Sequence, residues 1–157
     1  MKKFVFFTLL VIAIPAAAQT SQKDILLKHW KTSSDFTIAV ASAMPAEGYT
    51  FRPVRVHIAA LDRNSCANAS GLTPPALPAK IEEWVKDTVK VEVDRETAIQ
   101  FTKDSFGFCY KAITEMPMSR MDSVVGPPKR SLTGSEWLWS YFTHTATTAD
   151  RRRSTYD

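Results

Sequence analysis

Helical periodicity runs through almost the whole chain, and segments rich in proline and glycine interrupt it. Between these breaks the apolar residues recur at three- and four-residue steps, the spacing that places them on one face of an α-helix. No segment combines the strict alternation and the turn spacing that are typical of a β-sheet. The sequence therefore predicts an all-α fold.

The breaks divide the chain into four principal helices. Pro45 ends the first, Asp94 is a good N-cap for the third, and two loops at 68–78 and 117–129 are expected to lack regular structure. The principal helices are predicted at 24–44, 54–66, 94–116 and from about 131 onward, with a short helix at 81–89. The stripe of the third comprises Ala98, Phe101, Ser105, Phe108, Cys109, Ala112, Ile113 and Met116; that of the last comprises Leu132, Trp137, Leu138, Tyr141, Phe142 and Thr145.

Four helices, two of them long, favour a four-helix bundle. The first predicted helix has about 21 residues and a length of roughly 31 Å, whereas the second has about 13 residues and a length of roughly 20 Å. Bundle helices need partners of comparable length to cover their apolar stripes. The second helix is therefore expected to be shortened.

The N-terminus has the features of a secretory signal peptide. Lys2 and Lys3 precede an apolar run at 4–14, and Pro15 and three alanines follow it. The run is too short for a comfortable membrane span, although an uncleaved anchor is the alternative. We expect a signal peptide at 1–18, cleavage after Ala18, and an exported, periplasmic or secreted, domain that is not membrane-bound after cleavage.

The charge gives no sign of a nucleic-acid partner. The whole chain carries 20 basic and 16 acidic residues. Two of the lysines lie in the signal segment, and three arginines and two aspartates lie at 150–157. The domain at 19–149 is therefore almost neutral, which gives no indication of a polyanionic partner.

Two cysteines, Cys66 and Cys109, fall in apolar and helical settings. An even number of cysteines in an exported protein is compatible with a disulfide. Two buried thiols are the equally weighted alternative, because free cysteine packs as a small hydrophobic residue.

The histidines are the candidate ligands. His29 stands among lysines and is interpreted as a surface or boundary residue. His57 and His144 lie within apolar helical segments, and His57 is on a face with Val54, Ile58 and Leu61. A histidine on such a face is more often a core residue than a ligand. Two of them on different helices favour a metal site, because bundle interiors are where helical proteins assemble such sites.

The sequence resembles the DinB-like metalloenzyme family. The similarity lies in Phe51-Arg52-Pro53, Val56-His57-Ile58-Ala59-Ala60 and Gly71, and again in 129–132 with Leu138, Tyr141, Phe142 and His144. The order and spacing of these short motifs cover almost the whole mature chain. The resemblance implies an up-down-down-up four-helix bundle, a divalent metal, a small-molecule substrate and, as in many relatives, a homodimer.

The family holds its metal, zinc or nickel in our expectation, with three histidines. One comes from the second helix and two come from the last helix at i and i+4. Carried over to this chain, the metal ligands are His57 and His144, and the third position falls on Thr148, which has no imidazole. We predict that His57 and His144 face each other in the bundle interior and that any metal is weakly bound or absent.

A frame shift accounts for the missing ligand. Adding one nucleotide before codon 147, with synonymous codons chosen for 147–157, changes the tail to His-His-Arg-Gly-Gln-Ala-Glu-Val-Tyr-Leu-Arg, which is the family's ending. A natural basic tail at 151–153 is the alternative. We therefore interpret 150–157 as an aberrant, unpacked tail, and the short connection between Arg52-Pro53 and His57 as an internal deletion.

The resemblance thus implies a metal-dependent enzyme of the hydrolase or thiol-dependent transferase class. Three neutral imidazoles would leave a doubly positive metal with an open position, which lowers the pKa of a bound water or thiol. This copy is expected to be inactive. The alternative is a non-enzymatic, exported helical protein with a binding or stress function.

Overall fold

The computed structural model describes residues 21–45, 54–87, 91–126 and 129–150, with side chains in the same ranges except at 54, 55, 58 and 146–150. The signal segment at 1–18, the Arg52-Pro53 turn and the tail beyond Asp150 lie outside the described residues, so the expectations for them stay predictions. The described part is mostly helical, as the periodicity predicted. Its elements are α1 (Gln22–Ala43), α2 (Val54–Ser70), α3 (Ala79–Lys86), α4 (Arg95–Glu115), α5 (Met118–Asp122), β1 (Val124–Val125), β2 (Leu132–Thr133) and α6 (Gly134–Asp150).

Helix α4 follows its sequence prediction closely. Its N-cap is Asp94, whose carboxylate accepts hydrogen bonds from the backbone N–H of Thr97 at 2.8 Å and from the Thr97 hydroxyl at 2.7 Å. The cap satisfies a donor that the first turn of a helix otherwise leaves unpaired. All eight residues of the predicted α4 stripe are buried.

Helix α2 is longer than predicted. It has 17 residues and reaches Ser70, so the first part of the expected loop at 68–78 is helical. Gly71 ends it with a φ of 76°. Arg120 stabilises this end, since its guanidinium donates to the carbonyls of Ala69 at 2.7 Å and Asn68 at 3.3 Å. This cap comes from 51 residues further along the chain, so local sequence patterns did not indicate it.

The expected loop at 117–129 also contains regular structure. It holds α5 and β1, and β1 pairs antiparallel with β2, with Val124 opposite Thr133 and Val125 opposite Leu132. Because β2 takes up 132–133, α6 begins at Gly134 rather than near 131. The indole N–H of Trp137 donates to the carbonyl of Val125 at 3.0 Å and holds the small sheet against α6.

Contacts near the helix ends fix the directions of the packed pairs. Lys23 at the start of α1 donates to the carbonyl of Met116 at 2.9 Å, beside the last residue of α4, and Arg95 at the start of α4 donates to the carbonyl of Ser42 near the end of α1. Helices α1 and α4 therefore run antiparallel. Each cation also satisfies a carbonyl that a helix C-terminus leaves free.

Helices α2 and α4 run parallel. Cys66 and Cys109 meet in their second halves, and Val56 shares a hydrophobic cluster with Ala98 and Phe101 in their first halves. Helix α6 also packs on α2. Its first residue lies beside Arg120, which caps the end of α2, and its Thr145 contacts Asp62 in the middle of α2. Helices α2 and α6 are therefore antiparallel.

The core consists of two hydrophobic clusters. The first cluster contains residues from the first halves of α2 and α4, together with Ile81 and Trp84 of α3. The second cluster contains residues from the second halves of α2 and α4, together with residues of α1 and α6. Between the clusters, along both α2 and α4, lie buried polar side chains. With Thr145 of α6 they form what we call the polar layer: Asp62, Ser65, Thr102, Ser105 and Thr145, the buried polar side chains of the described residues.

Candidate functional site

The polar layer holds a buried carboxylate. The side chain of Asp62 on α2 is 1% exposed, and Thr145 on α6 is 2% exposed. The Thr145 hydroxyl lies 2.8 Å from Oδ1 and 2.9 Å from Oδ2 of Asp62. A carboxylate in a protein core is uncommon, because burial of a charge is costly unless it is paired. This pair is therefore the candidate functional site.

The spacing of α2 explains why Asp62 is buried. The buried stripe of this helix comprises Val56, Ala59, Asp62, Cys66 and Ala69, at steps of three and four residues. Asp62 occupies a core position of that stripe and faces α6. Leu138 and Thr145 are buried on α6, seven residues apart, so the hydroxyl of Thr145 falls on the face that contacts α2.

Burial raises the pKa of Asp62 to about 7, while the hydrogen bond from Thr145 acts to lower it. Desolvation disfavours the charged form of the carboxyl group and outweighs the hydrogen bond. The group therefore changes its charge near neutral pH and can bind or release a proton there. Chemically, it is a proton-accepting site between α2 and α6.

A disulfide lies next to the carboxyl group. Cys66 and Cys109 are bonded, with their Cα atoms 5.3 Å apart, and both are fully buried. This resolves the two alternatives that the sequence left open in favour of the disulfide. Cys66 follows Asp62 by one helical turn, and Sγ of Cys109 lies 3.2 Å from the backbone oxygen of Asp62. The disulfide thus joins α2 to α4 one helical turn after Asp62, next to the polar layer.

The candidate ligands do not lie in the interior. His29 is exposed, as predicted, but His57 and His144 are exposed as well. The prediction that His57 and His144 face each other inside the bundle is therefore wrong. His57 follows the buried Val56 by one residue, which rotates its side chain about 100° away from the stripe. His144 precedes the buried Thr145 in the same way.

The described residues do not fit the three-histidine metal site that the resemblance implies. They contain no group of three histidine, cysteine, aspartate or glutamate side chains placed to hold a metal ion. The third position is a threonine, and the side chain of Thr148 is outside the description. We accordingly derive no chemical step through a metal.

Sequence reasoning missed Asp62 and Thr145 as partners. The sequence prediction includes Thr145 in the apolar stripe of the last helix, but it does not include Asp62 in the stripe of α2. The signal was present, because Asp62 is a charged residue at a three- or four-residue step from Ala59 and Cys66. A charge inside an apolar stripe indicates either a partner or a function.

The comparison of the chain with protein-family models, curated proteins and solved structures finds no match. Among the described helices, none is long and apolar enough to cross a membrane.

Proposed function

We propose that the chain is an exported, DinB-like four-helix-bundle protein that lacks a complete metal site and does not act as a metal-dependent enzyme in this form. The bundle consists of α1, α2, α4 and α6 in up-down-down-up order. The pair directions support this order: α1 is antiparallel to α4, α2 is parallel to α4, and α6 is antiparallel to α2.

The observation that carries the proposal is the register of α2 against α6. Asp62 is level with Thr145, and in an antiparallel pair a step back along α2 matches a step forward along α6. His57 lies five residues before Asp62, about 7.5 Å along the axis, and position 148 lies three residues after Thr145, about 4.5 Å. Position 148, where the third ligand is expected, therefore lies within about one helical turn of the level of His57 along the helix axis.

A restored reading frame would place histidines at 147 and 148, on the turn of α6 that is level with His57. The present chain has Thr147 and Thr148 there, and threonine does not supply a zinc-binding nitrogen. Formation of the site in the restored protein requires His57 and His144 to turn from solvent toward each other.

Zinc binding to the chain as it exists and to the frame-restored chain tests this proposal. We expect no stoichiometric zinc in the existing chain and one zinc per restored chain, measured by elemental analysis after gel filtration. The matched control is the restored chain with His57→Ala, which should lose the metal. A restored protein that retains no zinc contradicts the proposal, as does stoichiometric zinc held by the existing chain.

The disulfide supports the exported location. Structural disulfides persist in oxidising compartments and are rare where thiols are kept reduced. Mass spectrometry of the protein purified from its native compartment should give a chain that begins at Gln19 and contains the bond between Cys66 and Cys109. A chain that retains Met1, or that carries two free thiols, contradicts this part of the proposal.

A second candidate is a non-enzymatic helical protein with a binding or stress function. It is favoured by the exposure of both His57 and His144 on α2 and α6. The zinc experiment separates the two candidates, because this one predicts that the restored chain also binds no stoichiometric metal.

A further inference from the structure

We propose that Asp62 and Thr145 form a proton-dependent latch between α2 and α6, which is closed while Asp62 carries a proton and opens toward solvent when the proton is lost. The latch lies in the polar layer, and it does not depend on the metal site.

The Thr145 hydroxyl has more acceptors within reach than it has hydrogens to donate. The Thr145 hydroxyl has one hydrogen, yet it lies 2.8 Å and 2.9 Å from the two oxygens of Asp62 and 3.0 Å from the backbone oxygen of Tyr141. It can donate to only one acceptor at a time.

Protonation of Asp62 resolves this conflict. The protonated carboxyl group donates to Oγ1 of Thr145, and the Thr145 hydrogen is then free to point to the carbonyl of Tyr141. The hydroxyl hydrogens of Asp62 and Thr145 then have one acceptor each. In the ionised form, by contrast, Thr145 must donate to Asp62, and the other lone pairs of the carboxylate have no side-chain donor among the hydrogen bonds of the described residues.

Among the side chains that the structure describes, none supplies Asp62 with a compensating charge. From α4 the neighbouring groups are Cys109, which is disulfide-bonded, and Ser105, which is level with Asp62 because each lies one turn before its cysteine. From α6 the facing group is Thr145. The hydroxyl of Ser105 is buried and has no hydrogen-bond partner in the described structure.

The charged and titratable groups of the neighbouring segments have other contacts or lie at the surface. Arg63 on α2 donates to the carbonyl of Pro75, and Arg120 on α5 caps the carbonyls at the end of α2. His57 on α2 and His144 on α6 are exposed. The pKa of Asp62 is raised by burial and lowered by Thr145, with no contribution from a charged residue of the described chain.

The sign of the pH effect follows from the direction of this shift. The pKa of Asp62 is about 7 in the closed state and near its ordinary value of 3.8 when the group is hydrated. The closed state therefore holds the proton more tightly, and closure is favoured at low pH. Between these two pKa values the opening constant should rise about tenfold for each pH unit, and above about pH 7 it should level off.

Amide hydrogen exchange of α6 in the intact oxidised protein tests the latch. After correction for intrinsic exchange rates, the opening constant of α6 around Thr145 should rise roughly fiftyfold from pH 5 to pH 7, because the closed state is half ionised at pH 7. In Asp62→Asn the amide group donates to Thr145 at every pH, so the opening constant should be nearly constant. A wild-type profile that is flat, or an Asp62→Asn profile with the same slope as wild type, overturns the proposal.

A second measurement needs no variant. The carboxyl carbon of Asp62, followed by NMR in the wild-type protein, should titrate with a midpoint near 7. A midpoint near 4 overturns the latch even if Asp62→Asn fails to fold. A midpoint near 7 together with pH-independent exchange of α6 also overturns it, because the proton would then bind without controlling the contact.

Discussion

Gly134 lies directly against the backbone carbonyl of Arg120, where α6 starts beside α5. A Cβ at this position would lie 2.5 Å from that oxygen and 3.2 Å from Cα of Met121. Both neighbours are backbone atoms, so they cannot move aside as a flexible side chain can. The absence of a side chain at 134 therefore sets how closely α6 approaches α5.

We expect Gly134→Ala to lower the free energy of unfolding by about 1–3 kcal/mol, the usual cost of forcing extra volume into a packed site. Urea unfolding monitored by circular dichroism measures the change.

Gly107→Ala is the matched control for this substitution. Gly107 is an exposed residue inside α4, and a Cβ there would have no atom within 4 Å. Alanine in a helix interior is more favourable than glycine, so this variant should be more stable by about 0.5–1 kcal/mol. Equal effects at 107 and 134 would contradict the packing argument.

The disulfide should account for a large part of the stability. The bond joins residues 43 positions apart. A cross-link that closes a loop of that size lowers the entropy of the unfolded chain, which stabilises the folded state by about 4 kcal/mol. The double variant Cys66→Ala, Cys109→Ala should therefore unfold at a clearly lower urea concentration than the oxidised protein. Wild-type protein reduced under denaturing conditions and refolded is the control. Unchanged unfolding midpoints in both would show that the bond has no stabilising role.

The N-cap of α4, Asp94, should stabilise the folded state with a pH dependence opposite to that of Asp62. The hydrogen bond from the backbone N–H of Thr97 lowers the pKa of Asp94 most, and the hydrogen bond from the Thr97 hydroxyl lowers it further. A lowered pKa means that the stabilisation is present above the ordinary pKa of aspartate and is lost as the pH falls through the pKa of the folded state. Asp94→Ala should cost about 1 kcal/mol at pH 7, and less at low pH.

Asp94→Asn is the control for this cap, because asparagine caps a helix nearly as well without the charge. Thermal unfolding at pH 3 and pH 7 should show a small loss for this variant and a larger one for Asp94→Ala at pH 7. An Asp94→Ala variant as stable as wild type at pH 7 would mean that the cap adds nothing to α4.

Local features of the sequence were sufficient to predict helix α4. Its start depends on Asp94, which bonds within its own first turn, and its stripe follows from residue spacing alone. The end of α2 and the strand pair were not predictable in the same way. The first depends on Arg120, and the second on the hydrogen bond from Trp137 to Val125, and both contacts join separate elements.

The candidate site was predicted less well than the fold. The sequence predicts an interior position for His57 because Val54 and Leu61, three positions before and four positions after it, share its face and are apolar. In the structure another face of α2 is buried, and that face includes Asp62 but not His57. Thr145 was on the predicted stripe, yet its pairing with a residue 83 positions away could not be read from either segment.

Removal of the Thr145 hydroxyl should destabilise the protein in a pH-dependent way. Thr145→Val keeps the shape of the side chain and deletes the hydroxyl that pairs with Asp62, which leaves a buried polar group unpaired at a cost of about 1–3 kcal/mol. The latch is closed below the Asp62 pKa of about 7, where the protonated carboxyl group donates to Thr145, and it is open above that pKa. The loss should therefore be larger at pH 5 than at pH 8. Thr145→Ser retains the hydroxyl and is the control, and urea unfolding of the three proteins at both pH values gives the comparison. Equal losses for valine and serine would show that the effect does not come from removal of the hydroxyl, which serine retains. A valine variant with the same loss at both pH values would mean that the hydroxyl does not discriminate between the two charge states of Asp62.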